Sequence, residues 1–327
     1  MEIVYLIENG FDLNMGLKTK YSDFYSQYIK SESINESVLR LKQNIGKYLS
    51  KESSDINWAD FELGFGRYTS RITSVEELIN IYEDVNISLH HYIKEQELSL
   101  GTRDKQVLIK DLMFPAEHLR EIDKFHINDF ATRLKKTPQN TNIITFNYTK
   151  CIENILNVKN VSQYKLGFNN RGNPCYLHSI KHIHGCIGDN ILVGVNDINQ
   201  IHNEQLKKDN TALDLLIKPQ SNKAIGSRVD EECIRVIEKS NLMCLFGLSL
   251  GDSDIFWWNL IGEQLLRTDF RLIFFVRDND LKIKHLIGET IKFYKEFLLS
   301  KTDLSLEEKN EVGEKIFIGY NTEIFKL

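Results

Sequence analysis

Four short segments of this 327-residue sequence join turn-forming glycines to side chains that can move protons or hold hydroxyls and phosphates. The first is Glu8-Asn9-Gly10-Phe11-Asp12-Leu13-Asn14-Met15-Gly16-Leu17, directly after an apolar run. A glycine in such a turn lets the backbone approach a phosphate, and a following helix would present free N–H groups. Gly10 and Gly16 do not satisfy G-x-G-x-x-G, so an ordinary strand-to-helix turn is the alternative. The second segment is Thr145-Phe146-Asn147-Tyr148-Thr149. The Asn147 amide donates and accepts at once, which suits a sugar hydroxyl or a positioned water. A helix N-cap is the competing role.

The third segment, Lys181-His182-Ile183-His184-Gly185, offers His184 as a general base exposed by its small neighbour. His182 and His184 at i, i+2 on a strand would point the same way, with His178 and Asp189 as further metal ligands. Familiar zinc spacings are missing, so no metal is expected. The fourth, Gly247-Leu248-Ser249-Leu250-Gly251-Asp252-Ser253-Asp254, has the strand, G-x-S-x-G, helix context of a nucleophile elbow. A hydrolase triad needs a later histidine, and His285, in helical text, is the one that remains. The hydroxyl and N–H groups of this turn can instead hold ribose or phosphate, with Asp252 and Asp254 as helix caps.

Elements that would position these turns are readable in the hydrophobic pattern. Ile3–Ile7, Asn142–Phe146, Leu242–Phe246, Arg271–Val276 and Lys315–Ile318 read as strands, most of them continuous apolar runs of the kind buried on both faces. Lys181–His184 and Ile191–Val195 are shorter strand candidates. Between the first two strands the text is helical: Val38, Leu41, Ile45 and Tyr48 step by three and four, and Ser74-Val75-Glu76-Glu77 is a capping box. Helices are also expected at about 149–156, 231–239, 254–266 and 282–299. Strands alternating with helices predict an α/β fold, a Rossmann-like and mostly parallel sheet with a large helical insertion. The expected core is 1–24 with 141–327, and the insertion 25–140. Ligands of such sheets sit beyond the carboxyl ends of the strands, where all four segments fall.

Lys plus Arg is 41 and Asp plus Glu 46, a net charge of −5, which speaks against a strongly basic nucleic-acid binder but leaves a local basic groove open. No apolar run is long enough to span a bilayer, and the N-terminus lacks a signal-peptide pattern. The 5 cysteines form no C-x-x-C pair. A reducing cytoplasm is the expected location, with Cys151, Cys233 and Cys244 as buried hydrophobes. Tyr5, Trp257 and Trp258 are expected in the core.

Taken in order, the segments resemble the abortive-infection AbiH family of bacterial anti-phage proteins. The resemblance rests on Asn9-Gly10-Phe11-Asp12-Leu13, Gly16-Leu17, Thr19 and Tyr21-Ser22-Asp23-Phe24, then on Phe146-Asn147-Tyr148-Thr149, His182-Ile183-His184-Gly185 and Gly247–Asp254. More distantly, the blocks are similar to the NAD-binding core of sirtuins and sirtuin-like defence NADases. That likeness implies a sirtuin-like core with NAD as substrate or ligand and its nicotinamide ribose near Asn147 and His184. It implies catalytic roles for His184 and Asn147, and NAD contacts from Asn9, Gly10, Phe11, Asp12, Gly16, Thr149, Gly185, Gly247, Ser249 and Asp252. Glu8 stands where sirtuins have their first glycine and Thr149 where they have an aspartate, while the zinc cysteines of deacetylating sirtuins are missing.

The expected function is therefore an anti-phage effector that cleaves the N-glycosidic bond of NAD or a related nucleotide. A non-catalytic nucleotide sensor, a nucleic-acid-directed effector and a serine hydrolase are the alternatives. Expected partners are a small nucleotide and a phage-derived trigger or partner protein, with homo-oligomerisation open and no membrane.

Overall fold

The alternating side chains of Ile3–Ile7 divide between two hydrophobic layers, Tyr5 and Ile7 facing one and Val4 and Leu6 the other. This is why the run carries no polar residue. In the computed structural model, which describes all residues except 53–55, 160 and 279–285, that run is β1 (Glu2–Ile7) at the middle of the sheet. The chain continues through α1 (Gly10–Asn14), α2 (Tyr21–Tyr28), α3 (Glu36–Leu49), α4 (Phe61–Tyr68), α5 (Val75–Leu98), α6 (Lys105–Met113) and α7 (Glu121–Leu134). Next come β2 (Gln139–Thr145), α8 (Cys151–Leu156), β3 (Tyr164–Phe168), β4 (Pro174–His182), α9 (Asn210–Leu216), α10 (Lys218–Ala224) and α11 (Val229–Lys239). The last part holds β5 (Leu242–Phe246), α12 (Ile255–Leu266), β6 (Arg271–Val276), α13 (Ile287–Ser300), α14 (Leu306–Val312) and β7 (Ile316–Tyr320).

The sheet has seven strands in the order β3-β4-β2-β1-β5-β6-β7, with β3 antiparallel to β4 and every other pair parallel. Among the parallel strands the spatial order is third, second, first, fourth, fifth, sixth in the chain. This is the doubly wound Rossmann arrangement, whose ligand crevice opens where the order reverses. Here the reversal lies between β1 and β5.

Three hydrophobic clusters hold the molecule. On one face of the sheet Tyr5, Ile143 and Cys244 meet Leu108 and Leu112 of α6, Ile127 of α7 and Phe325. On the other, Val4, Met243 and Leu245 meet Ile237 of α11, Trp258 and Ile261 of α12 and Leu298 of α13. A third cluster joins α2–α5, through Tyr25, Leu41, Phe61 and Leu78, to Ile191, Val193, Val195 and Leu216. Each fully buried large apolar side chain contributes roughly 1.5–3 kcal/mol, so these layers dominate the stability. Trp257 and Trp258 are core residues, and all five cysteines are buried with free thiols. Among the described residues no helix is long and apolar enough to cross a membrane.

Several elements differ from the sequence expectation. Ile191–Val195 is not a strand; apart from one bridge, Val195 with Ile217, it runs irregularly and its apolar side chains serve the helical layer. The strand expected at Lys181–His184 ends at His182 and begins much earlier, at Pro174. The helix expected from Thr149 starts at Cys151. Of the helix expected over 282–299, the described part begins at Ile287; His285 lies outside the described residues. The Ser74 cap does form, its hydroxyl accepting from the Glu77 N–H at 3.1 Å.

Candidate active-site cleft

The turns after β1 and β5 approach so closely that neither has room for a side chain. A Cβ on Gly10 would lie 2.3 Å from the Gly247 Cα, and Gly247 itself has φ +70°. The Gly10 N–H donates to the Gly247 carbonyl at 3.0 Å, and the Phe11 N–H to the Glu8 carbonyl at 2.9 Å. These N–H groups are therefore spent inside the protein. Of the donors expected to cradle a phosphate, the Gly10 N–H is used in joining the two turns and the Phe11 N–H in closing the first, ahead of a helix α1 of five residues.

In front of the paired turns lies a cleft of about 870 Å³, walled on its far side by the helical layer. Gly10, Asn147, His184 and Ser249 all line it, as do Asn9, Asp12 and Gly247. Phe11, Gly16, Thr149, Gly185 and Asp252 do not. Phe11 is fully buried beneath the site, edge-on to Phe246 and Phe325. Gly16 closes α1 with φ +81°. Thr149 is buried and binds Asp12, while Gly185 turns the chain where a Cβ would meet the Asn190 carbonyl oxygen at 1.6 Å. Asp252 faces solvent and pairs with Lys301 at 2.7 Å.

Carboxylates dominate the cleft. Asp12, in the first turn of α1, accepts from Asn147 Nδ2 at 3.1 Å and from Thr149 Oγ1 at 2.8 Å. Burial pushes its carboxyl up to about 7 against those donors. One Nδ2 hydrogen is used there, which leaves the other and the Oδ1 acceptor of Asn147 to a ligand. Asn147 is thus held from its side chain, not used as the N-cap of α8, whose cap position is Lys150 without a side-chain bond. Glu8 accepts from the Ser249 N–H at 2.6 Å and from its hydroxyl at 3.2 Å, and burial raises it to about 7. Asp254 accepts from Asn196 Nδ2 at 2.8 Å, and its carboxyl is raised by burial. Asp60 and Glu62 complete the acidic lining from α4. Lys20 and Arg277, both exposed, are cations on the rim of the same cleft.

His184 is buried, edge-on to the Phe146 ring at 5.2 Å. Lys218 Nζ lies 3.2 Å from Nε2 and 3.4 Å from Nδ1, and Asp254 Oδ1 is 3.7 Å from Nε2. Burial and then Lys218 hold the imidazole well below its ordinary range, favouring its neutral form. Lys218 is in turn ion-paired with Glu62, whose carboxyl burial raises against the pull of Lys218. His182 does not share a site with His184: its Nε2 meets Glu153 at 2.8 Å and its Nδ1 the Asn147 carbonyl at 2.9 Å. Among the described residues no three His, Cys, Asp or Glu side chains are grouped to hold a metal.

Sequence reasoning missed Lys218, Glu62 and Asp60. Asp60 carried a usable signal, since it caps α4 by accepting from the Glu62 and Leu63 N–H groups. Lys218 and Glu62 carried none, being common helix residues until the fold buries them. Among the described residues, Ser249 Oγ meets the Glu8 carboxylate and no histidine. A family model described as "Bacteriophage abortive infection AbiH" matches residues 4–276 of the chain. No curated protein matches it.

Proposed function

The chain belongs to the bacteriophage abortive infection AbiH family, and from that premise we propose that its cleft cleaves the N-glycosidic bond of NAD or a related nucleotide. One observation carries the reading: Gly10, Asn147, His184 and Ser249 open onto a single cleft at the strand-order reversal, among buried carboxylates. The sirtuin-like likeness read from these blocks in the sequence, itself part of this proposal, agrees with it. So does the distribution of charge. Deep carboxylates suit a cationic nicotinamide ribose, and Lys20 and Arg277 at the rim suit its phosphates.

In this reaction the bond from the ribose to the nicotinamide nitrogen breaks, and its electron pair leaves with the ring, neutralising the pyridinium. The carbon left behind is oxocarbenium-like, and negative charge fixed close to it stabilises that state. Asp12 and Glu8 supply that charge when ionised. Water attacks the same carbon and loses a proton to the neutral His184, while Asn147 Oδ1 orients the water or a ribose hydroxyl. The products are nicotinamide, ADP-ribose and a proton. Because the Ser249 hydroxyl donates to Glu8, it would meet the adenosine ribose as an acceptor unless Glu8 turns aside.

That same contact favours a second reading, a sensor that binds a nucleotide and does not turn it over. Calorimetric binding without product supports the sensor; nicotinamide release, lost in His184→Ala, supports cleavage. The acidic lining disfavours a polyanionic nucleic acid in this cleft.

A further inference from the structure

The helical layer does more than cover the sheet: it delivers a charge to the site. Glu62 sits in the first turn of α4 and Lys218 at the start of α10, and the two form a buried ion pair. Lys218 is fixed there by its own backbone, since its N–H donates to the Val195 carbonyl at 2.9 Å and the Val195 N–H to Leu216 at 2.8 Å. Glu62 also receives the Tyr21 hydroxyl at 3.4 Å, and Tyr21 meets the Tyr148 hydroxyl at 3.3 Å. Lys218, at 2 % exposure, then contacts His184, which faces the cleft.

Burying such a pair rarely adds stability, because desolvation offsets the attraction and an apolar pair of similar volume does as well. Stability therefore gives little reason for it. Placement gives a better one. Resting on the cleavage reading above, we propose that the Glu62–Lys218 pair is a positioning device for His184, holding a fixed positive charge against the imidazole so that the ring stays an unprotonated base. The charged groups around it divide cleanly. Lys218 opposes protonation of the ring, and Asp254 on the turn after β5 favours it. Glu62 on α4 pairs with Lys218, Asp60 at the α4 N-cap acts on Asp254, and the Tyr21 and Tyr148 phenols are neutral, burial raising both. With Asp254 at 3.7 Å and Lys218 at 3.2 Å, the ring has the cation as its nearer neighbour. Without Lys218, burial alone would oppose the proton that Asp254 draws toward the ring.

The test needs no substrate. Ring nitrogens of ¹⁵N-labelled protein are followed by NMR from about pH 5 to 8.5, across the ordinary histidine range. In the wild type His184 is expected to stay neutral throughout. In Glu62→Gln/Lys218→Met, which removes both charges together, His184 is expected to take up a proton within that range, a rise of about tenfold or more in proton affinity. Lys218→Met alone, in which the buried Glu62 can neutralise itself by protonation, is expected to move His184 the same way. Lys218→Arg is expected to keep it neutral. Unchanged His184 titration in both Met variants, or a charged His184 at pH 7 in the wild type, overturns the proposal. Absence of NAD cleavage by the wild type would remove the cleavage reading while leaving this titration to stand or fall separately.

Discussion

The Glu8 carboxylate accepts the Ser249 N–H at 2.6 Å, tying the turn after β1 to the turn after β5 across the point where the strand order reverses. This contact puts a carboxylate where a dinucleotide-binding turn would carry glycine, and with Asp12 it makes the floor of the cleft titratable near neutrality.

A pH dependence follows. Burial raises Glu8 from 4.5 and Asp12 from 3.8, each to about 7. As pH climbs from about 4 to about 7 the unfolded chain gives up these protons first, so the folded state binds more of them and stability falls with pH. The contribution is fully present below the unfolded values and is lost once pH passes about 7. Urea denaturation at a series of pH values is expected to show this decline, and Glu8→Gln/Asp12→Asn to flatten it. Stability that rises across the same interval in the wild type, with no change in the variant, would contradict the assignment.

Gly10 is predicted to be irreplaceable for packing reasons. In Gly10→Ala the new Cβ would sit 2.3 Å from the Gly247 Cα and 2.9 Å from its carbonyl oxygen, both backbone atoms that cannot turn away. Overpacking of this kind costs about 1–3 kcal/mol, and here it also pushes apart the two turns that face the cleft. Gly16→Ala meets no neighbour within 4 Å but is held at φ +81°, so its cost is backbone strain alone, about 1–2 kcal/mol. Denaturation midpoints of the two variants should both fall, and only Gly10→Ala should also lower nucleotide affinity.

How far the sequence revealed this arrangement depended on where each residue's neighbours come from. β5 and β6 were legible to the residue, because a strand buried on both faces must be apolar along its length. β3 and the first half of β4 were not, since an edge hairpin such as Tyr164–Phe168 keeps charged and polar residues. Ile191–Val195 was misread because continuous apolarity does not say which layer it serves. The turn residues Gly10, Asn147, His184 and Ser249 stood out through position after strands. Lys218 and Glu62 did not, since their significance arises only when α4 and α10 meet.

Asp252 offers a negative prediction. Its side chain is 70 % exposed and paired with Lys301, away from the cleft. Exposed pairs contribute about 0–1 kcal/mol. Asp252→Ala is therefore expected to change neither nucleotide binding nor turnover beyond about twofold and to shift stability by at most about 1 kcal/mol, read by calorimetry and thermal melting. A large loss of binding would move the ligand site out to this turn.

If the cleft breaks the glycosidic bond of a nicotinamide nucleotide, Asn147 and His184 act inside it and free nicotinamide must appear. The direct measurement is chromatographic detection of nicotinamide after incubating NAD with purified protein, taken both from uninfected and from phage-infected cells. Release is expected from the wild type of at least one source, with a fall of about 10² or more in Asn147→Ala and His184→Ala, each still folded. No nicotinamide from either source, or release undiminished in both variants, would contradict the proposed cleavage.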